Sequence, residues 1–181
     1  MVEGGCIGGK AVKHKRAVRN ISFGVKAGDC FGLLGTNGAG KTTTFKMLSG
    51  ELQPSSGFAQ IEGMDVATDM KRIRYLIGYC PQFDALLDKL TARQHLELYA
   101  AIKGIPSHLR EKLIKEKLKQ LNLTNFEHVQ AGTYSGGNKR KLSVAIALLG
   151  NPPIVFLDEP SSGMDPEARR FMWSVVSKVS S

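Results

Sequence analysis

CFGLLGTNGAGKTTTFKMLSG, residues 30–50, is the stretch on which the rest of the chain is read. A short apolar run, Phe31, Leu33 and Leu34, breaks into Gly35-Thr36-Asn37-Gly38-Ala39-Gly40 and closes on Lys41-Thr42. This is the G-x-x-x-x-G-K-[ST] phosphate loop, and the pattern predicts a strand before it and a helix after it. Glycines are needed because the backbone must curl around an anion with no Cβ in the way, so that successive N–H groups point inward. A helix starting near Lys41 adds a partial charge on the order of +0.5 e at the same place. Lys41 supplies a full charge for the β- and γ-phosphates, and the Thr42 hydroxyl is suited to ligate Mg²⁺. The expected phosphate-binding set is Gly35, Thr36, Asn37, Gly38, Ala39, Gly40, Lys41, Thr42 and Thr43.

The 181 residues are 42% apolar and 23% charged, ordinary values for a globular chain that can bury a core of its own. No run approaches the ~18 apolar residues of a membrane helix, and no apolar leader opens the chain, so direct membrane insertion is not expected. Cys6, Cys30 and Cys80 have no metal-ligand spacing and read as reduced cytosolic thiols. The net charge of +9 is dispersed over His14-Lys15-Arg16, Lys71-Arg72, the Leu109–Lys119 segment and Lys139-Arg140-Lys141. Solvated helix faces account for such runs, and nucleic acid is not expected as a partner.

Taken in order, Ile21, Phe23 and Val25 alternate as in a strand, turning at Ala27-Gly28-Asp29 into the strand of the phosphate loop. The helix after the loop ends at Gly50. Short strands follow at Phe58–Ile61 and Tyr75–Tyr79, the latter closed by Cys80-Pro81-Gln82, because proline cannot donate to a ladder. The texture then turns helical. Thr91-x-x-Gln94 is a capping box, and its helix stops at Gly104. Leu109, Leu113, Leu118 and Leu121 form a core-facing stripe, with Glu111/Lys115 and Lys112/Glu116 paired on the wet side. Strand character returns at Pro153–Leu157, an apolar run suited to a strand covered on both faces.

Asp158 and Glu159 emerge at the C-terminal end of that strand, where open α/β sheets bind ligands. Adjacent carboxylates repel, and two uses would justify them: Asp158 holding Mg²⁺ through water, and Glu159 acting as general base on an attacking water. Between the phosphate loop and this acid pair, Ser135-Gly136-Gly137 opens a helix over Lys139–Leu149. A hydroxyl and bare N–H groups at a helix N-terminus are another anion site. Asp165 has a simpler alternative, as the N-cap of a helix over Pro166–Met172.

Gly35–Thr42, Gln82, Ser135-Gly136-Gly137, Leu157-Asp158-Glu159-Pro160 and Ser162-Gly163-Met164-Asp165 stand in the order of Walker A, Q-loop, signature, Walker B and D-loop. The chain thus resembles an ABC-transporter nucleotide-binding domain over nearly its whole length. GYCPQFDA (78–85), YSGGNKRKLS (134–143) and FLDEPSSGMDPEARRFMW (156–173) are most similar to the second such domain of the lipid-moving A subfamily. Asn138, where most ABC proteins carry Gln, fits that subfamily. The fold implied is α/β, a RecA-like P-loop NTPase with a parallel core, an antiparallel β edge and an inserted α-helical subdomain. It would be divided as an unanchored start (1–16), a core (17–83 and 151–181) and a helical signature subdomain (84–150).

By the same resemblance the cofactors are ATP and Mg²⁺, the latter held by Thr42, Gln82 and Asp158. Glu159, Gln82 and Lys41 would be catalytic. Ser135, Gly136 and Gly137 would grip the γ-phosphate of an ATP held by a second nucleotide-binding domain, with Asp165 at that head-to-tail seam. The transmembrane domains of the same transporter would be the other partner, with the cassette on the cytoplasmic face of a membrane. Two family parts have no candidate. The switch histidine should follow Walker B, whereas His14, His95, His108 and His128 all precede Asp158; and no aromatic residue precedes Phe23 to stack on adenine. The expectation is a C-terminally truncated cassette with weak ATP binding and slow or no hydrolysis in isolation. Rival readings are a soluble ABC ATPase acting on nucleic acid, a GTPase or kinase (disfavoured by the lack of N-K-x-D), and a non-hydrolysing cassette.

Overall fold

The computed structural model describes residues 16–179; the unanchored start expected over 1–16 lies, apart from Arg16, outside the described residues. Helix α1 (Lys41–Leu48) follows the phosphate loop, and β1 (Gln60–Ile61) and β2 (Met64–Asp65) form a small antiparallel hairpin. Helix α2 (Met70–Leu76) runs directly into β3 (Ile77–Cys80). Helices α3 (Ala92–Ile102), α4 (Ser107–Gln120) and α5 (Gly136–Ala147) make the helical block. The chain then enters β4 (Ile154–Leu157), and α6 (Pro166–Val179) is the last described element.

Strands β3 and β4 pair in parallel, with Ile77 opposite Ile154 and Cys80 opposite Leu157. The Asp158 N–H donates to Cys80 O at 2.9 Å, which carries the ladder one step past the strand end. Side chains alternate across a strand, and β4 divides accordingly. Ile154 and Phe156 pack on the small cluster of Ile61, Val66, Ile73 and Ile77, while Val155 and Leu157 face the large helical core. That core holds Leu96, Ile114, Leu118, Leu121, Leu142, Leu149 and Met172, all buried.

The helical block follows its sequence signals closely. Thr91 caps α3 with a complete capping box, its hydroxyl accepting from Gln94 N while Gln94 Oε1 accepts from Thr91 N. In α4 the buried face runs through Ile114, Lys117, Leu118 and on to Leu121; Leu109, expected on that stripe, is exposed. Glu111 pairs with Lys115 at 2.9 Å and also meets Arg93, which binds Glu127 at 2.5 Å and Glu97 at 2.9 Å. Lys112 and Glu116 form no such pair.

The main correction concerns residues 17–34. Neither the alternating segment nor the run before the phosphate loop is a strand. The two arms fold back on each other about the Lys26–Asp29 turn, and Phe23 stacks on Phe31 with ring centroids 5.1 Å apart. Their apolar side chains stay largely in solvent, with Leu34 at 93% exposure. Alternation reports a segment able to lie on a sheet, but a strand exists only where a ladder partner takes its N–H and C=O groups. Among the described residues β3 pairs only with β4, and the segment has no such partner. The strand expected over Tyr75–Tyr79 begins two residues later, and Tyr75 and Leu76 form the end of α2 instead. The helix expected over Lys139–Leu149 begins earlier, at Gly136, and α6 extends past Met172 to Val179.

The two described thiols differ sharply: Cys30 is exposed and Cys80 fully buried. Burial pushes the Cys80 thiol up to about 11, against a smaller opposing pull from Arg140. Only the thiolate reacts, so at pH 8 about one Cys80 in a thousand would be competent even if reached. Iodoacetamide at pH 8 is expected to label Cys30 within minutes and Cys80 only after denaturant is added. Peptide mapping checks this, and equal labelling of both in the native protein would contradict the burial of β3.

Candidate functional site

The phosphate loop is built from a left-handed Gly40 and a helix that starts with no side-chain cap. Gly40 has φ 95°, and a Cβ there would lie 2.5 Å from Ala17 O, so glycine is required twice over. The first N–H groups of α1 have no partner within the helix, which leaves them for an anion. Gly40 O is already used, accepting from Thr44 N at 2.8 Å and Thr44 Oγ1 at 3.0 Å. Lys41 folds over the loop, its Nζ donating to Gly35 O at 2.7 Å and Thr36 O at 3.1 Å. The ammonium is therefore held at the loop mouth by carbonyl oxygens that a phosphate would displace or share.

The acid pair is set by the parallel register. Because Cys80 lies opposite Leu157, the residues two steps on, Gln82 and Glu159, are brought side by side. Gln82 Nε2 donates to Glu159 Oε2 at 3.2 Å. Glu159 has φ 50°, a left-handed conformation that costs about 1–3 kcal/mol for a non-glycine residue and is found where a side chain must be aimed. Asp158, next to it, is buried. It is 2% exposed, and its Oδ2 has no hydrogen-bond partner among the described residues. A buried carboxylate oxygen without a donor is costly unless a cation or its water shell is bound, so the donor set fits a hard divalent ion.

Gly35, Lys41, Thr43, Asp158 and Glu159 line one wide cleft, which residues 16–34 and 52–62 also line. The signature residues are not part of it. Ser135 caps α5, its hydroxyl accepting from Asn138 N at 3.3 Å, and Gly136 and Gly137 form the first turn with open space around them. Asp165 caps α6: its Oδ1 accepts from Glu167 N at 3.0 Å and Ala168 N at 2.9 Å, and these backbone donors hold its pKa down.

One residue at the centre of the site was not singled out by sequence. Arg140, read as part of a solvated Lys139-Arg140-Lys141 run, is 2% exposed. Its signal was present but subtle: it lies on the same helical face as Val144 and Ala147, both buried.

A phosphate loop and an acid-bearing strand tip opening on one cleft, in an α/β fold, define a P-loop nucleotide-binding domain. The chain belongs to the ABC transporter family, whose sequence profile matches residues 18–162. It is 53% identical over 163 residues to the human retinal-specific phospholipid-transporting ATPase ABCA4, covering 90% of this chain and 7% of that protein. The rat phospholipid-transporting ATPase ABCA3 is also 53% identical, over 90% of this chain and 10% of its own length. The chain therefore spans a small fraction of the curated relatives it matches. Among solved structures, the dimeric post-hydrolysis state of the ATP-binding cassette MJ0796 bound to ADP and Pi superposes with a TM-score of 0.83 at 26% identity. That match covers 91% of this chain and 75% of the other. No helix among the described residues is long and apolar enough to cross a membrane.

Proposed function

We propose that this chain is an ATP-binding and ATP-hydrolysing cassette that powers movement of a lipid or lipid-like molecule by a membrane ABC transporter. The observation that carries the proposal is a cleft lined by Lys41, Asp158 and Glu159, in which Glu159 accepts a hydrogen bond from Gln82 and the buried Asp158 keeps an oxygen without a donor among the described residues. The likeness to relatives named as phospholipid-transporting ATPases supplies the substrate class. Among the described residues, no feature of the fold favours the rival reading of a cassette acting on nucleic acid. One charge of the basic run invoked for it, Arg140, is buried.

The residues divide the work. The N–H groups from Gly38 to Thr43 and the Lys41 ammonium bind and orient the β- and γ-phosphates. Glu159 takes a proton from the attacking water, and Gln82 orients both that water and the Glu159 carboxylate. Thr42, Asp158 and Gln82 would hold Mg²⁺, which when bound neutralises phosphate charge during in-line displacement. Ser135, Gly136 and Gly137, remote from this chain's own cleft, would serve the ATP of a second nucleotide-binding domain placed head to tail, with Asp165 at the seam. The open space around both glycines leaves room for a phosphate. A polyanion between two donor-rich surfaces favours their association only while its γ-phosphate bridges them. Transmembrane domains of the same transporter would be the further partner, with the cassette at the cytoplasmic face.

Lys41→Ala tests the proposal most directly. It removes one charge-assisted contact to phosphate and is expected to weaken ATP binding about 10- to 100-fold while leaving the thermal midpoint in place. Isothermal titration with ATP reads the outcome. Unchanged affinity would remove the phosphate loop from the site and with it the proposed function.

A further inference from the structure

The guanidinium of Arg140, one turn into α5, joins three parts of the molecule that are far apart in sequence. Nη1 donates to Pro81 O at 2.5 Å, Gln82 O at 3.3 Å and the Asp84 carboxylate at 3.2 Å. Nη2 donates to Asp158 O at 2.5 Å and Glu159 O at 3.0 Å, and Nε donates to Pro160 O at 3.2 Å. A single planar fork thus holds the main chain on both sides of the Gln82–Glu159 hydrogen bond. Among the described residues only Asp84 offsets its charge by a carboxylate; the rest is met by carbonyl dipoles. Lysine cannot reproduce this, because its donors radiate from one nitrogen, whereas guanidinium spreads five N–H groups over a rigid plane.

The strand register alone would leave Gln82 and Glu159 on loose tips, since Pro81 breaks the ladder and Glu159 sits in a left-handed conformation. We infer that Arg140 is the positioning residue of the hydrolytic site: it fixes Gln82 and Glu159 relative to each other and ties that geometry to the helix that begins at Ser135-Gly136-Gly137. The inference rests on the ATPase reading above. Arg140 lies outside the phosphate loop, so its loss should act on turnover rather than on ATP affinity. Its attachment to α5 also means that displacement of the signature turn, as by an anion docking there, is transmitted to Gln82 and Glu159 through this one side chain.

The test compares wild type, R140M and R140K in the full protein that carries this cassette. Three quantities are read: the thermal midpoint, ATP affinity by equilibrium titration, and kcat for phosphate release. R140M is expected to lower kcat by about 30-fold or more, and R140K by about tenfold, with ATP affinity within about twofold of wild type in both. A role confined to stability would instead lower the thermal midpoint and leave kcat of the folded fraction unchanged. Wild-type kcat in either folded variant overturns the assignment, and if R140M does not fold, R140K decides. Loss of folding in both variants also overturns it, in favour of a purely structural role. Absence of ATP turnover in the wild-type protein overturns the ATPase reading itself, and is distinguishable because Arg140 is then intact.

Discussion

Exchanging Glu159 for glutamine is expected to reduce ATP turnover by about 10²- to 10⁴-fold while leaving ATP binding in place. The substitution is nearly isosteric and retains a carbonyl oxygen, so the Gln82 amide can still donate across the gap it now spans at 3.2 Å. The left-handed backbone at this position is fixed by Arg140, whose Nη2 takes Glu159 O, and does not depend on the side-chain charge. On the proposed roles, what is lost is the capacity to accept a proton from water, together with one negative charge in the cleft. Both changes should prolong the ATP-bound state. If ATP bridges two cassettes, the variant should accumulate as an ATP-bound dimer, visible by size-exclusion chromatography in Mg-ATP and absent in ADP. Turnover at the wild-type rate would remove Glu159 from the role of base. Loss of turnover without dimer accumulation would leave the base intact and count against the sandwich.

What could be read from the sequence, and what could not, divides along physical lines. The helix after the phosphate loop, the Thr91–Gln94 capping box and the apolar run at Ile154–Leu157 are local signals, satisfied within a few residues of themselves. Each appears where the pattern put it, the strand beginning one residue after the expected Pro153. The proximity of Gln82 to Glu159 was implied by motif order but needed the β3–β4 register to become a hydrogen bond. The segment 17–34 failed because alternation cannot say whether a partner strand is present, and here its apolar residues remain exposed. Arg140 was missed for a different reason. A cation in a Lys-Arg-Lys run is usually solvated, and only the clustering of loop carbonyls from two segments, 81–82 and 158–160, makes burial of its guanidinium tolerable. No one-dimensional pattern announces a ring of main-chain acceptors. A similar contrast separates Lys117, buried against Asn151 Oδ1 at 2.7 Å, from the exposed lysines of the same helix.

Replacing Gly78 by alanine is expected to destabilise the domain by about 3 kcal/mol or more, because overpacking against an immobile neighbour cannot be relieved by a side-chain rotation. Gly78 lies in β3 with ordinary backbone angles, so the requirement for glycine is one of space alone. An added Cβ would meet Ala147 O at 2.1 Å, Ala147 C at 3.0 Å and Pro152 Cγ at 2.9 Å. Ala147 ends α5, and its carbonyl accepts from Lys103 Nζ at 3.3 Å, with Leu149 O taking the same ammonium at 2.9 Å. Burial holds that lysine down at about 8, so below this pH the charged ammonium braces the helix end and resists the displacement an extra methyl would demand. The strain must therefore move α5 as a body away from β3, and α5 carries Arg140 at its other end. For a domain of this size the expected fall in thermal midpoint is about 6–12 °C, measured by calorimetry. Gly137→Ala is the matching control, since a Cβ there meets nothing within 4 Å, and its midpoint should stay within about 2 °C of wild type. Equal midpoints for Gly78→Ala and wild type would show that the strand and α5 are not in the contact described. A drop for Gly137→Ala as large as that for Gly78→Ala would show that the signature turn is itself packed, leaving no room for the phosphate proposed to dock there.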